Sequence, residues 1–149
     1  MRILLAAAAL LTATPAFAQN WTLAGEGEGH TTAVFVDRDS IENLPGRVIR
    51  AWVFYAFAED KSGGLAGIAS HQEYDCATQR HRRLFLRTYG GDGVMKVEGE
   101  LVTEWKQNQP GDLGSTIMSF MCSNGAGKPG AKMLGSALPL AYARRELFK

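Results

Sequence analysis

The stretch Ser70–Arg83, SHQEYDCATQRHRR, contains one of only two cysteines in the chain. Cys76 stands at the end of a strand-like run, within the triplet YDC at residues 74–76. The second cysteine, Cys122, closes the segment IMSFMC at residues 117–122. A bridge between the two would tie the C-terminal part of the chain onto a sheet, so this stretch decides how the fold is joined.

The N-terminus predicts export. Arg2 supplies a positive start, residues 3–11 form an apolar run, and residues 16–18, Ala-Phe-Ala, offer a cleavage site with small residues. This is the three-part pattern of a secretory signal peptide. The apolar run is much shorter than the roughly 20 apolar residues that a membrane-spanning helix needs. We expect cleavage after Ala18 and a periplasmic or secreted protein with no transmembrane segment. Since the residue directly after that site is Gln19 and not a cysteine, we expect no lipid anchor either.

Residues 19–149 then form the mature chain, which has the size of one ordinary domain. The whole chain has 16 Lys and Arg against 15 Asp and Glu, and removal of Arg2 leaves 15 of each. A neutral, exported chain is not expected to bind nucleic acid. No segment predicts a cofactor.

The cysteine count favours a disulfide, because exported proteins keep paired thiols oxidised. Cys76 and Cys122 are 46 residues apart, and closing a loop of this length contributes about 4 kcal/mol in the chain-entropy account. The alternative is a metal site that uses Cys76 with His71 or His81. It is disfavoured because the sequence has no paired spacing such as C-x-x-C.

Hydrophobic alternation predicts one α+β domain, mainly an antiparallel sheet of about six strands with a C-terminal helix packed on it. The longest strand candidate, residues 47–58, is apolar on both faces beyond its first residues, so we expect it at the centre. Trp52, in its middle, is expected in the core. Residues 94–102 alternate charged and apolar residues, which is typical of a strand with one wet face.

The pattern changes from strand to helix after residue 105. Asp112 or Ser115 can cap a helix whose apolar residues follow at helical spacing and which ends near Cys122. We place the domain at residues 19–122. Residues 123–149 form an extension that ends in a loosely docked helix.

Catalytic candidates are few. Ser40 and Ser70 could each be imagined in a triad with histidine and aspartate, but neither lies on the glycine-flanked turn that such a nucleophile uses. Carboxylates two residues apart on a strand share a face, which makes hydrolytic pairs geometrically possible. These pairs are Asp37 with Asp39, and Glu73 with Asp75. Solvated charges are the commoner explanation, so we expect no catalytic residue.

The densest charge is a basic patch of four arginines around His81. Strand alternation places Arg83 and Arg87 on the face of His81, and the other two arginines on the opposite face. One interpretation is a site for an anionic partner, such as a glycan, a lipid headgroup or lipopolysaccharide phosphate. The other is a solvated edge that prevents strands from pairing between molecules. The basic patch consists of Arg80, Arg82, Arg83 and Arg87.

Several residues occur together in an order that resembles a known family. They are Trp21, Asp37, Ser40-Ile41, Val48, Trp52, Tyr74-Asp75-Cys76 with basic residues after it, Tyr89, Trp105, Pro110 and a helix ending at Cys122. Over residues 20–122 the chain resembles the surface-adhesin E family, small exported proteins similar to Haemophilus protein E. The resemblance implies an antiparallel sheet with a packed helix, a Cys76–Cys122 bridge, and a role like that of an adhesin for host matrix proteins. Protein E is lipid-anchored and this chain has no cysteine to accept a lipid, so surface display is not carried over.

We therefore predict a non-enzymatic binding domain that takes part in adhesion or envelope interactions. It would bind an unknown protein, or an anionic envelope or host partner, through its sheet face or its basic patch. The alternative is a periplasmic, hydrolase-like enzyme that uses carboxylates or histidine in a cleft. A cleft with polar groups around Asp75, His71 or Asp37 would favour that alternative.

Overall fold

The computed structural model describes residues 19–123, 133–135 and 138–149. The predicted signal peptide, residues 1–18, lies outside the described residues, as does part of the predicted C-terminal extension. Nine strands, two helices and short 3-10 turns occur in the described ranges. The strands are β1 (Trp21–Glu26), β2 (Thr32–Asp37), β3 (Glu42–Leu44), β4 (Val48–Lys61), β5 (Leu65–Asp75), β6 (Arg80–Gly90), β7 (Met95–Glu100), β8 (Lys106–Gln107) and β9 (Met133–Gly135). The helices are α1 (Leu113–Cys122) and α2 (Pro139–Tyr142), which continues as one wider π-helical turn over Ala143–Leu147.

All strands pair antiparallel in a sheet of order β7-β6-β5-β4-β2-β1-β9, with β3 on β4 and β8 on β6. This confirms the predicted fold class. Six of the nine strands have six residues or more, which matches the predicted number of about six. The three additional strands, β3, β8 and β9, have only two or three residues each, too few to show alternation in a sequence.

β4 is the central strand, as predicted, and both of its faces are covered over part of its length. Ile49, Ala51 and Val53 are buried on the face toward α1, which we call the first face. Phe54 and Ala56 are buried on the face toward α2, the second face. Alternate residues of β4 therefore belong to two hydrophobic clusters on opposite faces of the sheet.

Trp52 differs from its expected core position, because it is only half-buried. The buried tryptophan of the second face is Trp21, which is 1% exposed and meets Phe54 edge to face with ring centroids 5.8 Å apart. Alternation places Trp52 on the second face correctly, but only part of that face is covered by α2.

The first face is covered by α1, which begins at the predicted cap. The Asp112 carboxylate accepts a hydrogen bond from the Ser115 backbone N–H at 2.6 Å. Cys122, in the last turn, forms the predicted disulfide with Cys76, with Cα atoms 5.6 Å apart. The alternative prediction of a metal site that uses Cys76 is therefore wrong, because the sulfur of Cys76 is bonded to the sulfur of Cys122. The apolar residues that α1 buries against the sheet are Ile117, Met118, Phe120 and Met121.

The second face is covered in part by α2 and the turn after it. Leu140 is 3% exposed and Ala143 is fully buried. Arg144 donates a hydrogen bond to the Phe57 carbonyl at 3.3 Å and forms an ion pair with Asp60. The sequence predicts a loosely docked helix in this extension; in the structure, its Leu140 and Ala143 belong to the hydrophobic cluster of the second face.

β7 is the edge strand, and it differs from the prediction of one wet face because both of its faces are exposed. The helices pack mainly on β1, β4 and β5, so the apolar alternation of β7 has no cover there. The exposed large apolar side chains of this edge are Val94, Met95, Val97, Leu101 and Val102.

Candidate functional site

A β-bulge in β6 decides which side chains meet on the second face. Phe85 pairs with His71 and Arg83 pairs with Gln72, so Leu84 is an extra residue with no partner on β5. One extra residue reverses the alternation of every side chain beyond it. The strand therefore presents a different set of residues from the one that its sequence predicts.

Because of the bulge, the arginines of the basic patch lie on other faces of the sheet than strict alternation predicts. Arg82 lies opposite Glu73 and Arg87 lies opposite Ala69, both on the second face. Arg83 stays on the first face. The prediction that Arg87 shares a face with Arg83 is wrong, because strict alternation cannot reveal a bulge.

Glu73 is the centre of an ion-pair network on the second face. Its side chain is 4% exposed, and its two oxygens accept hydrogen bonds from Arg50 at 2.6 Å and Arg82 at 2.7 Å. Burial alone would raise the pKa of Glu73. The hydrogen bonds and charges of the two arginines together outweigh burial and hold that pKa below its ordinary value.

Two more arginines of the basic patch have carboxylate partners. Arg80 lies 3.8 Å from Asp75, and Arg87 lies 3.0 Å from Glu98. Arg83 forms no ion pair with any described residue. The basic patch is thus largely neutralised by carboxylates of the same sheet.

The arginines of the second face also stack on tryptophans. The Arg82 guanidinium lies 4.7 Å from the Trp105 ring centroid, and Arg80 lies 6.0 Å from it. Arg87 lies 4.6 Å from the centroid of Trp52. Such cation–π contacts are attractive and add to the ion pairs of the same arginines.

Trp52 is the centre of a second cluster. His71, directly opposite on β5, stacks on the indole with centroids 5.0 Å apart and planes 12° apart, and Phe85 meets it edge to face at 6.0 Å. Together with the ion pairs, this cluster forms the part of the second face beyond α2, which we call the open surface. The open surface consists of Arg50, Trp52, His71, Glu73, Arg82, Phe85, Arg87 and Trp105.

A cleft of about 430 Å³ lies at one side of the open surface, beside the short 3-10 turn Arg38–Ser40. It brings together the predicted pair Asp37 and Asp39 with His71, which lie on separate elements. The sequence named Asp37 and His71 as residues around which a cleft would matter, but it could not place the cleft, because its walls come from segments that only the sheet brings together. The lining residues are Gln19, Asp37, Asp39, Ser40, Glu42, Trp52, His71 and Arg87.

Asp37 and Ser40 build the turn beside the cleft. Asp37 is 4% exposed, and its Oδ1 accepts hydrogen bonds from the backbone N–H groups of Asn20 at 2.8 Å and Asp39 at 3.2 Å. Burial raises the pKa of Asp37, and these bonds oppose the rise only in part. The Ser40 hydroxyl donates to the Asp37 carbonyl at 2.7 Å and accepts from the Trp52 N–H at 2.8 Å. Both partners of this hydroxyl are backbone groups, so it joins the turn to β4.

The second predicted carboxylate pair has structural partners. Glu73 is held by its two arginines, and the Asp75 Oδ1 accepts from the N–H groups of Ala77 and Thr78 at 2.9 and 3.1 Å. Within the described ranges, no group of three or more His, Cys, Asp or Glu is placed to hold a metal ion.

An antiparallel sheet with one helix bridged to it by a disulfide defines the class of this protein as a small α+β domain. The chain matches the model of the family described as Surface-adhesin protein E over residues 21–123, well over half of its length. It therefore belongs to the surface-adhesin protein E family. No match was found among curated proteins or among solved structures. None of the helices in the described part of the chain is both long and apolar enough to cross a membrane.

Proposed function

We propose that this chain is an exported, non-enzymatic adhesion module that binds a protein partner through the open surface. The family supports the adhesin class. The observation that carries the proposal is the pair of tryptophans, Trp52 and Trp105, each stacked by an arginine on the part of the sheet beyond α2. Tryptophan and arginine dominate the energetic centres of protein interfaces. The predicted signal peptide and the disulfide fit a periplasmic or secreted location.

The charges of the open surface favour a protein over a polyanion. Arg50, Arg82 and Arg87 each have a carboxylate partner, so the surface alternates positive and negative groups. A polyanion would meet those carboxylates as well as the arginines. A protein surface can match both signs, which gives specificity.

The test is binding of the protein purified from the periplasm to immobilised collagen, fibronectin and laminin, measured by surface plasmon resonance. Arg87→Ala removes the group stacked on Trp52, and we expect it to weaken binding by at least about tenfold. The matched control is Arg145→Ala, because Arg145 is 70% exposed on the C-terminal turn, outside the open surface. Binding to none of the three proteins, or equal loss in the two variants, would contradict the proposal.

The anion-binding role of the basic patch stays a prediction with its own test. Arg83 is the residue of the patch best suited to test anion binding, because it has no ion pair among the described residues. Retention on immobilised heparin and lipopolysaccharide is measured at low and physiological salt, for the parent and for Arg83→Ser. We expect little retention at physiological salt, where exposed charges are screened beyond about 8 Å. Strong retention there that is lost in Arg83→Ser would favour an anionic partner instead.

The enzymatic alternative has one observation in its favour, since the cleft gathers Asp37, Asp39 and His71. Their contacts count against it. Ser40 is bonded to backbone groups only, and Asp37 Oδ1 is engaged by two N–H groups. Chromogenic ester, phosphate and glycoside substrates test it directly. Turnover that disappears in both Asp37→Asn and His71→Gln would overturn the non-enzymatic proposal.

A further inference from the structure

We infer that the cleft beside the open surface is a receptor for one basic side chain, a lysine ammonium or an arginine guanidinium, of the protein partner. The inference rests on the proposed function and names the chemistry of the group that the partner must present. The basic patch is predicted to bind an anionic partner through its arginines. At the cleft, carboxylates of this chain instead bind a cationic side chain of the partner.

Two carboxylates in the cleft have no positive partner. Neither Asp37 nor Asp39 forms an ion pair with a described lysine, arginine or histidine. Asp37 is 4% exposed, and the hydrogen bonds from Asn20 and Asp39 both go to Oδ1, so Oδ2 has no partner among the described residues. Oδ2 is not one of the fully buried atoms without a partner, so it is open to an incoming cation, and a hydrogen bond between an ammonium or guanidinium and a carboxylate is stronger than a neutral one.

The other charges of the cleft are already compensated. Glu42 lies 3.5 Å from Arg50, and Arg87 lies 3.0 Å from Glu98. Burial, followed by the charge of Arg50, lowers the pKa of His71, which keeps the imidazole neutral near pH 7. Among the described residues, the cleft therefore contributes two unpaired negative charges and no unpaired positive one. An anionic ligand would be repelled.

The apolar wall and the size of the cleft fit a long side chain. Trp52 is half-buried and lines the cleft, and the part of its indole that His71 and Arg87 leave exposed is available to the methylene stem of lysine or arginine. Such side chains lay their stems on apolar surface and keep the charged group at a polar site. The volume of about 430 Å³ admits one side chain of this length.

The inference is tested without the partner, using Nα-acetyl-lysine methylamide as the probe and its norleucine analogue, which has a similar stem and no charge, as the control. Nuclear magnetic resonance follows the indole N–H signals of the folded protein during titration. We expect the lysine derivative to shift the Trp52 signal, with the signals of Trp21 and Trp105 unchanged. The norleucine derivative should shift none of the three.

Two carboxylate variants complete the test. Asp39→Asn removes an exposed charge of the cleft, and we expect it to weaken binding of the lysine derivative about two- to fivefold. Glu59→Gln removes an exposed carboxylate seven residues along β4 from Trp52, roughly 23 Å away, and should leave the affinity unchanged. No shift at Trp52, or equal effects of the lysine and norleucine derivatives, overturns the inference. This outcome would overturn the cation site alone. The proposed adhesion function is tested separately, by binding to matrix proteins, which the titration with the lysine derivative does not involve.

Discussion

At the scale of single residues, the two faces of the sheet satisfy their buried polar groups in different ways. On the first face, the Tyr74 hydroxyl donates to Gln72 Oε1 at 2.7 Å, and Gln72 Nε2 donates to the Tyr55 hydroxyl at 3.2 Å. Burial raises the pKa of both tyrosines, so this chain of hydrogen bonds stays neutral. The second face instead uses the charged network of Glu73.

Removal of one hydroxyl tests the neutral chain. Tyr74→Phe leaves Gln72 Oε1 without its donor in the core, and we expect a loss of about 1–3 kcal/mol in unfolding free energy. Urea denaturation measures the loss. Tyr89→Phe is the matched control, because Tyr89 is half-buried and no hydrogen bond of its hydroxyl occurs among the described residues. Similar losses in both variants would show that the Tyr74 hydroxyl is not held in this chain.

The charged network has a distinct pH dependence. The pKa of Glu73 is lower in the folded protein than its ordinary value of 4.5, so the unfolded chain binds a proton more readily. Its contribution to stability is therefore complete above about pH 4.5 and is lost as the pH falls through the folded pKa.

Glu73→Gln should remove that contribution. At neutral pH we expect a loss of about 1–3 kcal/mol, less than for a fully buried pair, because Arg50 and Arg82 are 31% and 33% exposed. The difference between variant and parent should shrink toward about pH 3 in urea titrations. A difference that is constant with pH would contradict the proposed ionisation of Glu73.

At the scale of elements, both ends of α1 are fixed by residues that can be recognised in the sequence. Its N-terminus is capped by Asp112 and its last turn is bridged to the end of β5. Between these points it approaches β1 closely, because a Cβ added at Gly25 would lie 2.8 Å from the Thr116 methyl group. A glycine at this position therefore permits the approach.

The bridge gives the element-scale prediction. Protein isolated from the periplasm should gain the mass of two hydrogens when it is reduced, as measured by intact-mass spectrometry. Replacing both cysteines by serine should lower the unfolding free energy by about 4 kcal/mol, because the unfolded chain regains the freedom of a 46-residue loop. Free thiols in the unreduced sample would contradict both the bridge and the oxidising location.

At the scale of the whole molecule, unequal cover of the sheet creates the surface available for binding. α1 and α2 leave the open surface and the β7 edge uncovered, and the cleft lies where the turn before β3 meets that surface. Two partly buried histidines lie on opposite faces of the sheet, His71 on the second face and His81 on the first.

Both histidines make the fold sensitive to mild acid. Burial is the largest cause that lowers the pKa of each below 6.5; the charge of Arg50 adds to it at His71, and the nearby Asn108 side chain opposes it at His81. The unfolded chain therefore binds more protons, and stability falls as the pH drops through about 6.5. The melting temperature should be lower at about pH 5.5 than at pH 7.5, above the range in which Glu73 titrates. His71→Gln combined with His81→Gln should reduce that difference, and an unchanged difference would exclude the histidines as its cause.

The sequence by itself determined the α+β class, the central strand β4, the helix that begins at Asp112, and the disulfide. These follow from local alternation, cap chemistry and a pair of cysteines, which neighbouring residues reveal. Only the tertiary structure decided the open surface and the cleft. The bulge at Leu84 moves Arg87 to the second face, and the docking of α2 leaves Trp52 half-buried beside Asp37. Such effects depend on pairing and packing between segments far apart in the chain, so no local pattern encodes them.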